Sequence, residues 1–250
     1  MRQSFKEHNK GGRFVIAGLQ KMTLLDYPGK VACTVFLQGC NFRCPFCHNS
    51  SLLGQPEQDP IPVDELMAFL KKRQGLLDGV CVTGGEPTLH KYLPELLRQI
   101  KDLGFFVKLD TNGYRPDILK AVVGEGLVDY VAMDIKNCPA RYGETAGISA
   151  PELAKIEESM LFLMEGTLDY EFRTTVVKEF HNTEDLVAIG QWFQKLSPEN
   201  VVKKYFLQPY TDRSSVLCGG LHAPNSTQLQ AFLDAVKPYV HQTEIRGDVV

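Results

Sequence analysis

Six short runs rich in β-branched and aromatic residues recur along the chain, with stretches between them that are long enough for helices. They are residues 31–37 (VACTVFL), 79–83 (GVCVT), 105–110 (FFVKLD), 128–133 (VDYVAM), 170–177 (YEFRTTVV) and 202–208 (VKKYFLQ). In the intervening segments apolar residues fall at helical spacing. Val63, Leu66, Met67 and Leu70 make one face, and Leu93, Leu96, Leu97 and Ile100 a second. Leu153, Ile156, Met160 and Leu163 make a third, Leu186, Ile189 and Phe193 a fourth, and Leu229, Phe232, Leu233 and Val236 a fifth. Strands alternating with helices imply βαβ units and a mostly parallel sheet, an α/β fold. Residues 14–19 (FVIAGL) add an antiparallel strand beside the first, joined to it by the loop around Tyr27-Pro28-Gly29. Residues 242–246 (QTEIR) make a short terminal strand. With no repeat, low-complexity tract or long linker, residues 13–250 are expected to be a single domain behind a flexible tail, residues 1–12.

Each run leads into a chemically distinctive segment. After the first comes GCNFRCPFCHN (39–49), with Cys40, Cys44 and Cys47 close together. The second ends in Gly84-Gly85-Glu86-Pro87, the third in Asp110-Thr111-Asn112-Gly113 and the fourth in Asp134-Ile135-Lys136. The fifth carries Arg173 inside an apolar run, and the sixth ends in Gln208-Pro209-Tyr210. In a parallel α/β barrel all these positions open onto the C-terminal face, where active sites are built. Each has a structural explanation when taken singly: a glycine turn, a turn with Asn112 and Gly113 at positive φ, an Asp134–Lys136 ion pair, a buried Arg173 paired with an acid. Their co-location is what favours a site.

Seven cysteines, Cys33, Cys40, Cys44, Cys47, Cys81, Cys138 and Cys218, make an odd number. A disulfide framework wants an even count, a short chain and a secretory signal, and the polar residues 1–13 contain no apolar core of signal-peptide length. A reducing compartment, the cytoplasm, is therefore expected, with the triplet as a metal or redox feature. Thiolates suit zinc and iron–sulfur clusters. A closed zinc site takes four ligands, commonly as two separated pairs, whereas one Cys-x3-Cys-x2-Cys group is present here. Four-iron clusters are usually held by four cysteines, so three would leave one iron open to a substrate. The spacing favours a three-cysteine cluster, with zinc or an inert triplet as alternatives. Cys33 and Cys81 read as core residues, and His90, His181, His222 and His241 as surface or helix-end residues. With 27 basic against 30 acidic residues the chain has no nucleic-acid footprint. No apolar run approaches the roughly 18 residues of a membrane span. Neither nucleic acid nor membrane is expected as a partner.

The pattern Cys-x3-Cys-x-aromatic-Cys, here Cys40, Cys44, Phe46 and Cys47, resembles the signature of the radical S-adenosylmethionine (SAM) enzymes. Gly84-Gly85-Glu86-Pro87 resembles that family's loop for the SAM amino group. LDTNGY, VAMDIK, EFRTTVV and FLQPY are similar in order and spacing to the activating enzymes of glycyl radical enzymes, including the pyruvate formate-lyase activator. Residues 18–49 are most similar to a branch of anaerobic ribonucleoside-triphosphate reductase activating proteins, and the resemblance covers roughly residues 14–245. It implies a partial (β/α)6 TIM-like barrel of the radical SAM type with an extra N-terminal strand. It also implies one [4Fe–4S] cluster on Cys40, Cys44 and Cys47, with the fourth iron chelated by the amino and carboxylate groups of SAM. Phe46 is then expected near the adenine, His48 beside SAM, and Asn49 at the ribose or sulfonium. Gly84 and Gly85 would admit the backbone close to the ligand, and Glu86 would meet its positive end. Asp110, Thr111 and Asp134 would flank the SAM carboxylate, with Lys136 and Arg173 offsetting charge. Two acids beside a carboxylate also suggest a monovalent cation near Asp110 and Asp134.

The resemblance implies reductive cleavage of SAM and abstraction of hydrogen from a glycine Cα of a partner enzyme, here anaerobic ribonucleoside-triphosphate reductase. A flavodoxin- or ferredoxin-type protein would supply the electron. Asp26 matches an acid in relatives and is expected, as a catalytic residue, to face the partner's glycine loop through the side of an open barrel. Two differences stand out. Thr211 occupies the place of a histidine in the pyruvate formate-lyase activator, and Asp26-Tyr27-Pro28-Gly29 replaces its Asp-Gly-Pro-Gly. There is no inserted ferredoxin-like cysteine block, so one cluster is expected. The alternatives are another glycyl radical partner such as pyruvate formate-lyase, a radical SAM enzyme of the deazapurine synthase type acting on a small molecule, and a non-enzymatic iron–sulfur or zinc scaffold.

Overall fold

Eight strands lie side by side in chain order in a computed structural model that describes residues 15–54, 59–212 and 215–247. They are β1 (Ile16–Thr23), β2 (Ala32–Leu37), β3 (Gly79–Gly84), β4 (Phe106–Thr111), β5 (Tyr130–Asp134), β6 (Asp169–Val176), β7 (Val202–Pro209) and β8 (Val240–Ile245). β1 is antiparallel to β2, and every later neighbouring pair is parallel. β8 is a full member of the sheet, registered from Val202↔Val240 to Leu207↔Ile245. β1 and β8 do not pair with each other among the described residues, so the sheet is an open, partial barrel. The expected tail, residues 1–12, lies outside the described residues.

The helices are α1 (Val63–Lys71), α2 (Leu93–Asp102), α3 (Pro116–Gly124), α4 (Tyr142–Ala146), α5 (Leu153–Glu165), α6 (Thr183–Leu196) and α7 (Ser226–Val236). All five expected apolar faces fall on helices. α3 and α4 were not anticipated; α4 has only five residues, too few for a clear period. α3 opens on Pro116, whose fixed φ and missing N–H suit a first helical position, and it buries Leu119 and Val122.

Successive strand residues point to opposite faces, and here the two faces differ in chemistry. Val35, Val82, Leu109, Val131 and Phe172 are fully buried in the main apolar core, together with helix residues such as Leu96, Ile156 and Ile189. The other face carries Thr34, Cys81, Lys108, Asp110, Asp134, Glu171 and Arg173. It forms the barrel lumen. At the N-terminal end of the parallel strands Tyr27 enters that lumen from the β1–β2 loop and meets Tyr130 of β5, ring centroids 6.0 Å apart. The sheet must curl to bring these together, because β2, β3 and β4 lie between them.

Candidate active site

At the C-terminal end of the strands, β2 and β3 finish side by side, with Leu37 opposite Gly84. Gly85 N–H donates to Leu37 O at 2.8 Å and Glu86 N–H to Gly39 O at 2.8 Å. A methyl group on Gly85 would overlap the carbonyl of Gly39, and one on Gly84 (φ 121°) would overlap the backbone of Leu37. These glycines are thus required by the close approach of two strand ends, and both also line the cavity described below. That approach seats Gly39 immediately before the first cysteine of the triplet.

The cysteine loop is tied down from several sides. Arg43 N–H donates to Ala146 O of α4 at 2.9 Å, and Cys47 N–H to Cys44 O at 3.0 Å. Asn49 Nδ2 donates to Gly84 O at 3.2 Å. His48 stacks on Tyr210, centroids 5.6 Å apart, and its Nε2 lies 2.7 Å from Thr211 O, so the loop is joined to the end of β7. Phe46 is buried against Phe180 and the edge of His181.

These elements enclose a cavity of about 260 Å³. Every candidate site residue except Asp26 lines it, joined by Asn112 and Gln208 of the strand-end segments and by Phe42, Leu53, Thr83 and Thr175, which were not singled out in the sequence. Asp26 sits in the β1–β2 loop at the opposite end of the strands, where its carboxylate accepts a hydrogen bond from Thr34 Oγ1 at 2.5 Å. It was expected to face the partner's glycine loop, and its place in the β1–β2 loop leaves it outside the residues that line this cavity.

The charges on the lumen face form a single network. Arg173 binds Asp134 through Nε at 3.0 Å and Nη2 at 2.9 Å, and Asp110 through Nη1 at 3.3 Å. Lys136 pairs with Asp134 at 3.0 Å, and buried Lys108 pairs with Asp110. Burial pushes the Asp134 carboxyl up, but Arg173 and Lys136 outweigh it and bring the group down to about 2. Asp110 is likewise held below its ordinary value, burial being outweighed by Arg173 and Lys108. Three protein cations already answer the two acids, so the expected monovalent cation there has no support. Lys108 went unnoticed in the sequence; its signal was Asp110 two residues on, on the same face of the strand.

Glu86, expected to meet the positive end of SAM, is engaged by the protein itself. Its carboxylate, 1% exposed, accepts from Thr88 N at 3.1 Å, Thr88 Oγ1, Thr111 Oγ1 at 2.8 Å and Asn112 N at 2.6 Å. These bonds brace the end of β3 against the end of β4. In the turn beyond β4, Gly113 alone takes the positive φ (75°) that was also expected of Asn112. His181 is buried rather than superficial, its Nε2 2.9 Å from Lys136 O.

Three thiols line one cavity, yet among the described residues no group of three or more His, Cys, Asp or Glu could hold a single metal ion. That arrangement suits a cluster, in which each iron takes one thiolate, better than a tetrahedral zinc ion. Burial pushes the Cys40 thiol up to about 12 and raises Cys44, with Lys136 opposing the shift at both. Metal coordination removes such a proton outright. No helix among the described residues is long and apolar enough to cross a membrane.

Comparison with known proteins adds four findings. The pattern of the Radical SAM superfamily matches residues 34–184. Over 248 residues the chain is 27% identical to a Methanocaldococcus jannaschii protein assigned as a glycyl-radical enzyme activating enzyme, covering 93% of this chain and 95% of that one. It is also 25% identical over 209 residues to the 7-carboxy-7-deazaguanine synthase of Aquifex aeolicus, covering 82% and 81%. In fold it is similar to Streptococcus suis SuiB bound to S-adenosylmethionine, with a TM-score of 0.64 at 13% identity. That likeness covers 83% of this chain and 48% of SuiB, so the chain spans about half the length of that protein.

Proposed function

This chain belongs to the radical SAM superfamily, and from that premise we propose that it activates a glycyl radical enzyme, anaerobic ribonucleoside-triphosphate reductase. The [4Fe–4S] cluster and SAM that the superfamily implies would supply one-electron reductive cleavage of the sulfonium carbon–sulfur bond, and the residues below would hold and orient them. Cys40, Cys44 and Cys47 hold three of the irons. Phe46, fixed by Phe180 and His181, packs on the adenine. Asn49 and His48 keep the cysteine loop against the ends of β3 and β7 and border the ribose. The zwitterionic head of SAM would meet Thr111 and the mutually neutralised Asp110, Asp134, Lys136 and Arg173, with the Gly84-Gly85 backbone beside it, all of which line the cavity. Glu86 acts through its brace on Thr111 and Asn112.

A hydrogen atom leaves the partner's glycine Cα and ends on 5′-deoxyadenosine, and the unpaired electron remains on the glycine. The electron consumed comes from a flavodoxin- or ferredoxin-type donor. Positioning and water exclusion are the protein's contribution. The observation that carries a polypeptide substrate is the saturation of the lumen. Its acids and bases pair with one another, and Glu171 is taken by Tyr130 Oη at 2.8 Å and by Arg246 at 2.7 Å. Among the described residues the charged lumen groups are thus committed to one another, leaving Thr83, Thr175 and Gln208 as neutral polar lining, and β1 and β8 do not pair with each other. A second reading, a small-molecule enzyme of the deazapurine synthase type, is favoured by the similarity to the Aquifex aeolicus protein.

Anaerobic mixing of the reconstituted protein with SAM, dithionite and the candidate reductase tests this. A doublet in electron paramagnetic resonance, absent when the partner's glycine is replaced by alanine, is the expected result. SAM cleavage coupled to formation of a deazapurine product, with no radical on the partner, would favour the second reading.

A further inference from the structure

We propose that Asn112 is a positioning residue for Cys40: its side-chain amide addresses the Cys40 sulfur and sets how readily a cluster held there accepts an electron. The inference rests on the cluster assignment above. Two N–H groups reach Cys40 Sγ, the backbone of Phe42 at 3.3 Å and Asn112 Nδ2 at 3.9 Å. Among the described residues no other residue donates a hydrogen bond to the sulfur of Cys44 or Cys47. Cys40 is therefore the ligand through which the protein acts most directly on cluster charge.

Asn112 is built for one orientation. It is 5% exposed and lines the cavity. Its backbone N–H is held by Glu86 Oε2 at 2.6 Å, and its Oδ1 accepts from Tyr114 N–H at 3.0 Å. A flipped amide would set donor against donor at Tyr114, so the nitrogen must face the cysteine loop. That nitrogen carries two hydrogens. One goes to Asn41 Oδ1 at 2.8 Å, and the other is left for Cys40. Bound to iron, Cys40 is a thiolate and a full acceptor. A hydrogen bond to that sulfur favours the more negative, reduced cluster, because it is stronger the more charge the sulfur carries. The brace from Glu86 to Asn112 thus couples the end of β3 to the electronics of the first cysteine. At 3.9 Å the contact is a long one, made to a thiol sulfur, a weak acceptor.

Potentiometric titration of the reconstituted protein without SAM, tracked by the paramagnetic signal of the reduced cluster, separates positioning from mere structure. Asn112→Leu removes the donor. At a fixed ambient potential its reduced-to-oxidised ratio should fall about threefold, the part of one hydrogen bond's weight that differs between the two charge states, or about 28 mV for one electron. Asn112→Asp keeps the acceptor for Tyr114, loses both amide hydrogens and adds charge, so it should fall at least as far. It carries the test alone where the leucine variant fails to fold. A wild-type midpoint in either folded, cluster-loaded variant overturns the role of Asn112. Failure of the wild-type protein to hold any cluster overturns the cluster assignment itself.

Discussion

Arg173 of β6 grips Asp134 of β5 through two guanidinium nitrogens, Nε at 3.0 Å and Nη2 at 2.9 Å. Its third nitrogen reaches Asp110 of β4 at 3.3 Å. One side chain thus spans three adjacent strands at the end where the cavity opens. Two acids this close together need that charge between them.

Replacing Arg173 by methionine should cost about 2–3 kcal/mol at pH 7. That is less than the 3–5 typical of a fully buried pair, because Asp134 stays partly exposed and keeps Lys136. The pH dependence comes from the sign of the shift. A carboxyl lowered from 3.8 to about 2 stabilises the fold fully above pH 4 and loses that contribution as pH falls through about 2. Without Arg173 the acids would take up a proton at higher pH, so the deficit should shrink between pH 7 and pH 5. Urea unfolding at both pH values checks this, and a constant deficit would contradict it.

Glu86 makes a different prediction. Glu86→Gln keeps the shape but turns an amide toward one of the four donors that now converge on the carboxylate. A loss of about 1–3 kcal/mol is expected by urea denaturation. If Glu86 instead served chiefly to contact a ligand, stability would stay at the wild-type level and only SAM binding would weaken.

Gly85→Ala should push Gly39 away and displace the cysteine loop. Overpacking of this kind costs about 1–3 kcal/mol, occasionally more. Iron bound after reconstitution should fall by at least half. Gly104→Ala is the control: its φ is also unfavourable for alanine (86°), but its Cβ meets open space. It should lose stability while keeping its iron.

The strands were legible because β-branched runs such as 31–37 and 79–83 are buried in a parallel sheet and read as continuous apolar segments. Gathering the cysteines, Gly84 and Asp134 on one face required that alternation alone. What was missed depends on distant contacts. Lys108 looks like an ordinary strand lysine until the lumen closes around it and Asp110. Buried His181 lies against the Lys136 carbonyl, 45 residues earlier in the chain. The carboxylate of Glu86 and the crowding at Gly85 both arise where separate strands end together, a relation that no local pattern encodes. Asp26 was assigned from a likeness to relatives, and the position of its loop at the far end of the strands separates it from the cysteines.

Reductive SAM cleavage by a cluster on Cys40, Cys44 and Cys47 is the claim on which the rest depends. Protein reconstituted anaerobically, mixed with SAM and dithionite and assayed for 5′-deoxyadenosine, should bind about four irons per chain and release the nucleoside. Serine at Cys40, Cys44 or Cys47 should abolish both, whereas serine at Cys33, Cys81, Cys138 or Cys218 should preserve both. No 5′-deoxyadenosine from fully iron-loaded wild-type protein, or undiminished release from the Cys40→Ser variant, would contradict it.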